Sequence, residues 1–442
     1  MKRRQLLRIA FLATIASGVL ASAMVSSASG QPASPAPASD STAELIAGLR
    51  VQGGLTADAA AARAGKVSPR AAEGRATSEA ADAQAGLARL GWLPRVRAQA
   101  QYARLSKVDT PDLGPGLEIN SLRNQWSNSA SIEVPLSDYL LRTPHQVAAA
   151  RHGAESVHHS ERATRRLVEA DARIAYYEWV RARLQVHTAE RGLALVDESL
   201  ATTATQVEAG TASRADLLRL ESRRAAAELT LRQASDAADR NEDRLRTLIG
   251  AGDDERLGVG EDLARVSADA LAQVRATKAS ALWRSAAARR PEILAFRSAE
   301  KSALAEARAA RADLFPRLSA FGEVAYDNPS ARVFPQEDEF TSTWTAGLQI
   351  TWDFNLALGS PKNGDEARAR ARAQRARAAQ QTELIRDEVL TSRQAVDQAE
   401  VAIQVGERGL AAAEESYRVR RALQGAGRAT AVEVIDAETD LT

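Results

Sequence analysis

Three histidines spaced seven apart, His145, His152 and His159, are the first side chains whose type and spacing could do chemistry. On a helix they share one face, but each step advances about 10 Å along the axis, so one chain cannot fold them around one ion. Solvated or interior histidines are the simpler reading, and a ring built from one histidine per copy is the other. The run Glu366-Ala367-Arg368-Ala369-Arg370-Ala371-Arg372-Ala373-Gln374-Arg375-Ala376-Arg377 spreads its arginines around every side of a helix, which fits a wall wetted on both faces better than a nucleic-acid surface. Asp253-Asp254-Glu255 reads as a surface turn. There is no nucleophile elbow, phosphate loop or His-Glu-x-x-His, and the histidines form no serine-hydrolase grouping. No catalysis, no cofactor, no metal and no nucleic acid are therefore expected.

The elements that carry these residues are organised by a duplication. The decapeptide Glu190-Arg191-Gly192-Leu193-Ala194-Leu195-Val196-Asp197-Glu198-Ser199 returns 217 residues later as Glu407-Arg408-Gly409-Leu410-Ala411-Ala412-Ala413-Glu414-Glu415-Ser416. Trp126 answers to Trp344, and Pro94-Arg95 to Pro316-Arg317, at nearby offsets. Each copy is far longer than a solenoid repeat, so this is an internal duplication. Heptad spacing runs through Ala172, Trp179, Val186, Leu193 and Leu200, and again through Val389, Val396, Ile403, Leu410 and Tyr417. The second seam is small: Ala175, Ala182 and Ala189, against Ser392, Ala399 and Gly406. Large residues alternating with small ones at this period predict closely paired helices.

Apolar residues make up 45% of the chain but aromatics only 4%, which suits long, thin helical packing better than a thick core. The absence of cysteine excludes disulfides, thiolate metal sites and a lipid-modified N-terminal cysteine. Lys2, Arg3 and Arg4 followed by the apolar Leu6 to Leu20 read as an export signal over residues 1–30, with a loose resemblance to a twin-arginine signal. Losing Lys2, Arg3, Arg4 and Arg8 with it lowers the formal charge from +1 to −3, so nothing draws the chain to nucleic acid. Residues 31–55, rich in Pro, Ala and Ser, read as a disordered leader.

After Pro94 the period changes to two. Val96, Ala98, Ala100 and Tyr102 alternate with polar residues, as do Trp126, Ala130, Ile132 and Val134 beyond a Pro/Gly-rich loop. The second copy repeats this with Leu318, Val324 and Tyr326, then Trp344, Leu348, Ile350 and Trp352. Strands of about ten residues with one apolar face and aromatic ends are those of a membrane barrel; a soluble hairpin on a helical body is the plainer alternative. Four strands cannot close a barrel, and open edges are not tolerated in lipid. If these strands span a membrane, several chains must share one barrel.

The resulting plan is a first repeat over 56–250 (hairpin 94–136, long helix 140–209, return helix), a linker at 251–265, and a second repeat over 266–442 (hairpin 317–354, long helix 362–425, shortened last helix). With Leu93-Pro94-Arg95-Val96 and Phe315-Pro316-Arg317-Leu318 entering the hairpins, and Gly210 to Glu221 and Gly427 to Glu438 at the far turns, it resembles the TolC-like outer-membrane efflux family. The resemblance implies a mainly α fold with a small β part: a homotrimer whose coiled-coil helices form an α-barrel across the periplasm, continued by a 12-stranded transmembrane β-barrel with four strands per chain. It implies outer-membrane lipid, a periplasmic adaptor (membrane fusion) protein and an inner-membrane pump as partners. The adaptor would dock at the turns, Gly210, Thr211, Gly427 and Arg428, and Asp216, Glu433 and Asp436 would line the gated entrance. The bland reading of those acids is helix N-terminal residues favoured by the macrodipole. Where the family often has arginine two residues after the second glycine this chain has Ala429, and Gln424 stands where an aromatic sometimes does.

The function expected is therefore a passive exit duct of a tripartite efflux or type I export system, with a soluble periplasmic coiled-coil adaptor as the alternative. The chain stops at Thr442, 15 residues past Gly427, whereas the matching helix of the first copy continues for nearly 40, so the chain is expected to be incomplete.

Overall fold

The computed structural model describes residues 50–106, 122–263, 272, 275–334, 336–426 and 428–441. The export signal, most of the leader and the first hairpin's loop lie outside the described residues. In chain order the elements are β1 (Arg50–Leu55), α1 (Ala57–Val67), α2 (Pro69–Leu90), β2 (Arg95–Arg104), β3 (Asn124–Val134), α3 (Leu136–Leu141), α4 (Thr143–Glu208) and α5 (Arg214–Ile249). There follow α6 (Ala279–Arg289), α7 (Pro291–Ala310), a 3-10 turn (Arg311–Leu314), β4 (Arg317–Asn328), β5 (Thr341–Thr351), α8 (Phe354–Gly425) and α9 (Ala431–Leu441). The fold is mainly α, with two long helices of 66 and 72 residues, and carries one small antiparallel sheet.

The chain forms two compact units. One comprises residues up to Gly74 together with Arg162–Arg290 and Thr382–Thr442. Its apolar core joins Ala57, Ala60 and Ala64 of α1 to Val168, Ala172, Tyr176 and Trp179 of α4 and to Leu245 and Ile249 of α5. Alanines on α1 let the helices come close enough for the large rings of α4 to fill the space between them. Two rings of that core have their polar atoms paired: Trp179 Nε1 donates to Glu242 at 3.1 Å and the Tyr177 hydroxyl to Glu261 at 3.2 Å. Residues 50–55, read from the sequence as the end of a leader, form β1 instead. Leu55 exchanges backbone bonds of 2.7 and 2.8 Å with Gly258 and Gly260, so its polar backbone is tied down where no apolar alternation announced a strand.

The other unit comprises Arg75–Glu161 and Pro291–Gln381. Its sheet has the order β2-β3-β4-β5, so the two hairpins join through β3 and β4. The register sets Val96 opposite Ile132, Ile132 opposite Gly322, and Gly322 opposite Ala346. Below the sheet, α4 and α7 meet along small residues. The Ser156 hydroxyl donates to Ala295 O at 2.9 Å and the Ser302 hydroxyl to Ala149 O at 2.8 Å. The two rungs lie seven residues apart on each helix and run in opposite senses, which makes the pair antiparallel with one bond each way.

The second long helix begins at Phe354, eight residues before the start expected at 362. Pro361 lies inside it and removes one ladder donor. Asp353 compensates at the N-terminus by accepting from the Asn355 and Leu356 amides at 3.0 and 3.2 Å, which starts the helix upstream of the proline.

Candidate functional site

The sheet separates its two faces by chemistry. Side chains at alternate positions, Val96, Val324, Trp344, Leu348 and Ile350, are 54–74% exposed although apolar. The opposite face carries Arg95, Gln99, Ser131, Glu323 and Thr345; on it Arg95 lies 3.8 Å from Glu133, and the Ser127 hydroxyl donates to Asp327 at 2.8 Å. An exposed apolar face backed by a wet one is the arrangement of a strand between lipid and water. Among the described residues no helix is long and apolar enough to cross a membrane.

At the edge of the sheet a charged joint ties the copies together. Asp313 of the second copy pairs through one oxygen with both Arg142 of the first and Arg317, the latter at 2.9 Å. Arg142 and Asp313 are each under 20% exposed. Burial, with Arg317 next to it, lowers the pKa of the Arg142 guanidinium below its ordinary value.

The far turns share a backbone bond and a side-chain cap. Gly210 has φ +75°, a conformation that closes α4 and that side chains rarely adopt. Behind it the Thr211 amide donates to Gln206 O at 2.8 Å, and 217 residues later the Arg428 amide donates to Leu423 O, also at 2.8 Å. Gly427 lies outside the described residues. Ser213 caps α5: its Oγ accepts from the Asp216 amide at 3.2 Å and its hydroxyl donates to the Asp216 carboxylate at 2.6 Å. Thr430 caps α9 by accepting from the Glu433 amide at 3.4 Å, and the Glu433 carboxylate lies 3.6 Å from Arg420. Asp436 is exposed on the next turn. Asp216 and Glu433 thus stand in the first turns of their helices, and among the described residues no hydrogen bond or ion pair joins Asp216 to Glu433 or Asp436.

A cluster that the sequence reading missed lies just behind these turns. The end of α4 and the end of α8 meet through the ion pair Glu198–Arg421, and Arg421 lies 6.0 Å from the centre of the Tyr417 ring. Ser199, Thr202, Gln206 and Val434 complete a pocket of about 190 Å³ around them. Against it α9 buries Val434, Ile435, Ala437 and Glu438, the glutamate only 1% exposed. The signal was present in the repeated decapeptide, which contains Glu198 and Ser199, but their partners are named only by the helix pairing.

Two histidines of the stretch 145–159 have polar partners on α2 and α4. His152 Nδ1 lies 3.1 Å from Glu155, and the neighbouring His158 bridges Ser78 and Asp82 at 2.7 and 2.8 Å. Among the described residues no three ligating side chains converge on a metal position.

A family model described as outer membrane efflux protein matches residues 62–251 and 282–442, and the chain belongs to that family. Its place in the cell is accordingly the outer membrane, and its class is that of the efflux channels. Solved structures share the fold. The outer-membrane channel OprN is 20% identical over 94% of this chain and 93% of its own, with a TM-score of 0.66. VceC, an outer membrane protein of Vibrio cholerae, is 16% identical over 87% and 89%, at 0.65. The MtrE outer membrane channel of Neisseria gonorrhoeae, solved in an open state, is 20% identical over 87% and 83%, at 0.64. No curated protein sequence matches the chain.

Proposed function

We propose that this chain is one third of a passive outer-membrane exit duct, which receives substrates from an inner-membrane pump through a periplasmic adaptor. The observation that carries the reading is the sheet with an apolar exposed face and two strands, β2 and β5, that pair on one side only. In lipid such edges must be covered, and three chains of four strands make a closed barrel of twelve. Val401, Ile403 and Val405 of α8, 43–59% exposed, offer further apolar surface for neighbouring copies. A soluble adaptor would have no use for an exposed face of Trp344, Leu348 and Ile350.

The duct would close where α4 and α8 end. Gly210, Thr211, Gly427 and Arg428 present the turns to the adaptor. Asp216, Glu433 and Asp436, contributed three times over, form an acidic entrance that attracts cations. In this reading the protein supplies a route and the pump supplies the work.

The test is purification in detergent and reconstitution into planar bilayers. The expected result is a trimer that conducts and prefers cations. A monomer that stays soluble without detergent, or a trimer that conducts nothing, would overturn the reading.

A further inference from the structure

Glu438 is a carboxylate buried at the junction of three helices besides its own. Beside it stand Glu198, a like charge, and Ser199 on α4, Arg223 on α5 and Tyr417 on α8. Arg421 of α8 is engaged with Glu198, and Arg223 is an offsetting cation for Glu438. The acids on its own helix, Glu433, Asp436 and Asp440, are exposed to water. The duplication supplies an internal comparison. Glu221 holds the same position in the first copy, 217 residues earlier, and is exposed there.

We infer that Glu438 is a proton-operated lock, whose neutral acid holds α9 against α4, α5 and α8 and whose ionisation loosens it. A buried carboxylate costs several kcal/mol to charge unless it is fully compensated; Arg223 offsets part of that cost here and Glu198 adds to it. Burial is the largest influence and pushes the Glu438 carboxyl above its ordinary value, against the pull of Arg223 and Ser199. An undocked α9 returns it to the ordinary value. Docking therefore takes up a proton, is strongest below the ordinary carboxylate range, and weakens as pH rises through the raised value. Because α9 also carries Glu433 and Asp436, release of the lock would free two of the proposed entrance acids, and in that respect the inference rests on the channel reading.

The measurement is backbone hydrogen exchange over Ala431–Leu441 in the full chain in detergent, corrected for intrinsic rates, between about pH 5 and pH 8. Protection of α9 should fall by roughly threefold or more across that range. Glu438→Gln should flatten the profile, Glu221→Gln should leave it as in the parent, and Arg223→Gln should move the fall to higher pH. A flat profile in the parent, or the parent's slope retained in Glu438→Gln, would overturn the lock. Since exchange does not depend on conductance, a flat profile in a conducting trimer removes the lock alone, and a pH-dependent profile in a non-conducting protein removes the channel alone.

Discussion

Phe321 and Gly347 face each other across β4 and β5, and the phenyl ring covers the glycine so closely that a Cβ there would sit 3.1 Å from two ring carbons. This explains an aromatic on the face that otherwise carries Arg317, Glu323 and Thr345. A bare glycine in an edge strand exposes backbone, and a cross-strand ring shields it. Phe321→Ala should cost about 1 kcal/mol of hairpin stability, and Gly347→Val should cost more by displacing the ring into the lumen. Both are read as a lowered temperature for loss of the folded trimer, and Gly347→Ala, needing only a few tenths of an ångström, should fall between Gly347→Val and the parent. Equal stability of all four proteins would show that the ring shields nothing.

The barrel is expected to close through β2 of one protomer and β5 of the next. Because the chain has no cysteine, a cysteine at Gln99 can be paired in turn with one at Thr343, Thr345 or Gln349 without background. One of these pairs should give a disulfide-linked ladder ending at three chains under oxidising conditions. Failure of every pair in a protein that conducts would mean that the edges meet other partners.

Asp313 holds two arginines with one carboxylate, so its removal leaves like charges facing each other in a mostly buried joint. Asp313→Asn should lower stability by about 2 kcal/mol, below the cost of breaking a wholly buried pair because the site is partly wet. Adding Arg142→Leu should restore part of the loss in a double-mutant cycle. Additive losses would show that the two residues do not share the joint.

Capping and gating at Asp216 can be told apart. Ser213→Ala should loosen the start of α5 by about 1 kcal/mol, seen in hydrogen exchange over its first turn, and leave ion preference unchanged. Asp216→Asn with Glu433→Gln should lower the cation preference of single channels. Unchanged selectivity in that double variant would leave both acids as helix caps and nothing more.

Much of this was legible in the sequence. Alternation in Val96 to Tyr102 and around Trp344 announced strands because a strand between lipid and water must change polarity at every residue. The heptads through Ala172 and Trp179 announced close helices because both residues sit in the core. β1 was hidden because Arg50-Val51-Gln52-Gly53-Gly54-Leu55 has no apolar period and is held by backbone bonds to a loop about 200 residues away. The early start of α8 was hidden by Pro361, since a proline ordinarily marks a helix boundary. Glu438 was hidden because its twin, Glu221, is exposed: identical letters in a duplicated chain acquire different environments only through long-range packing.

The paired serines of α4 and α7 carry a mechanical meaning. Each helix gives one hydroxyl and accepts one at rungs a heptad apart, so sliding by a single residue would break both bonds together. That seam resists shear. In the proposed duct, widening is then expected further along α4, toward the turn at Gly210.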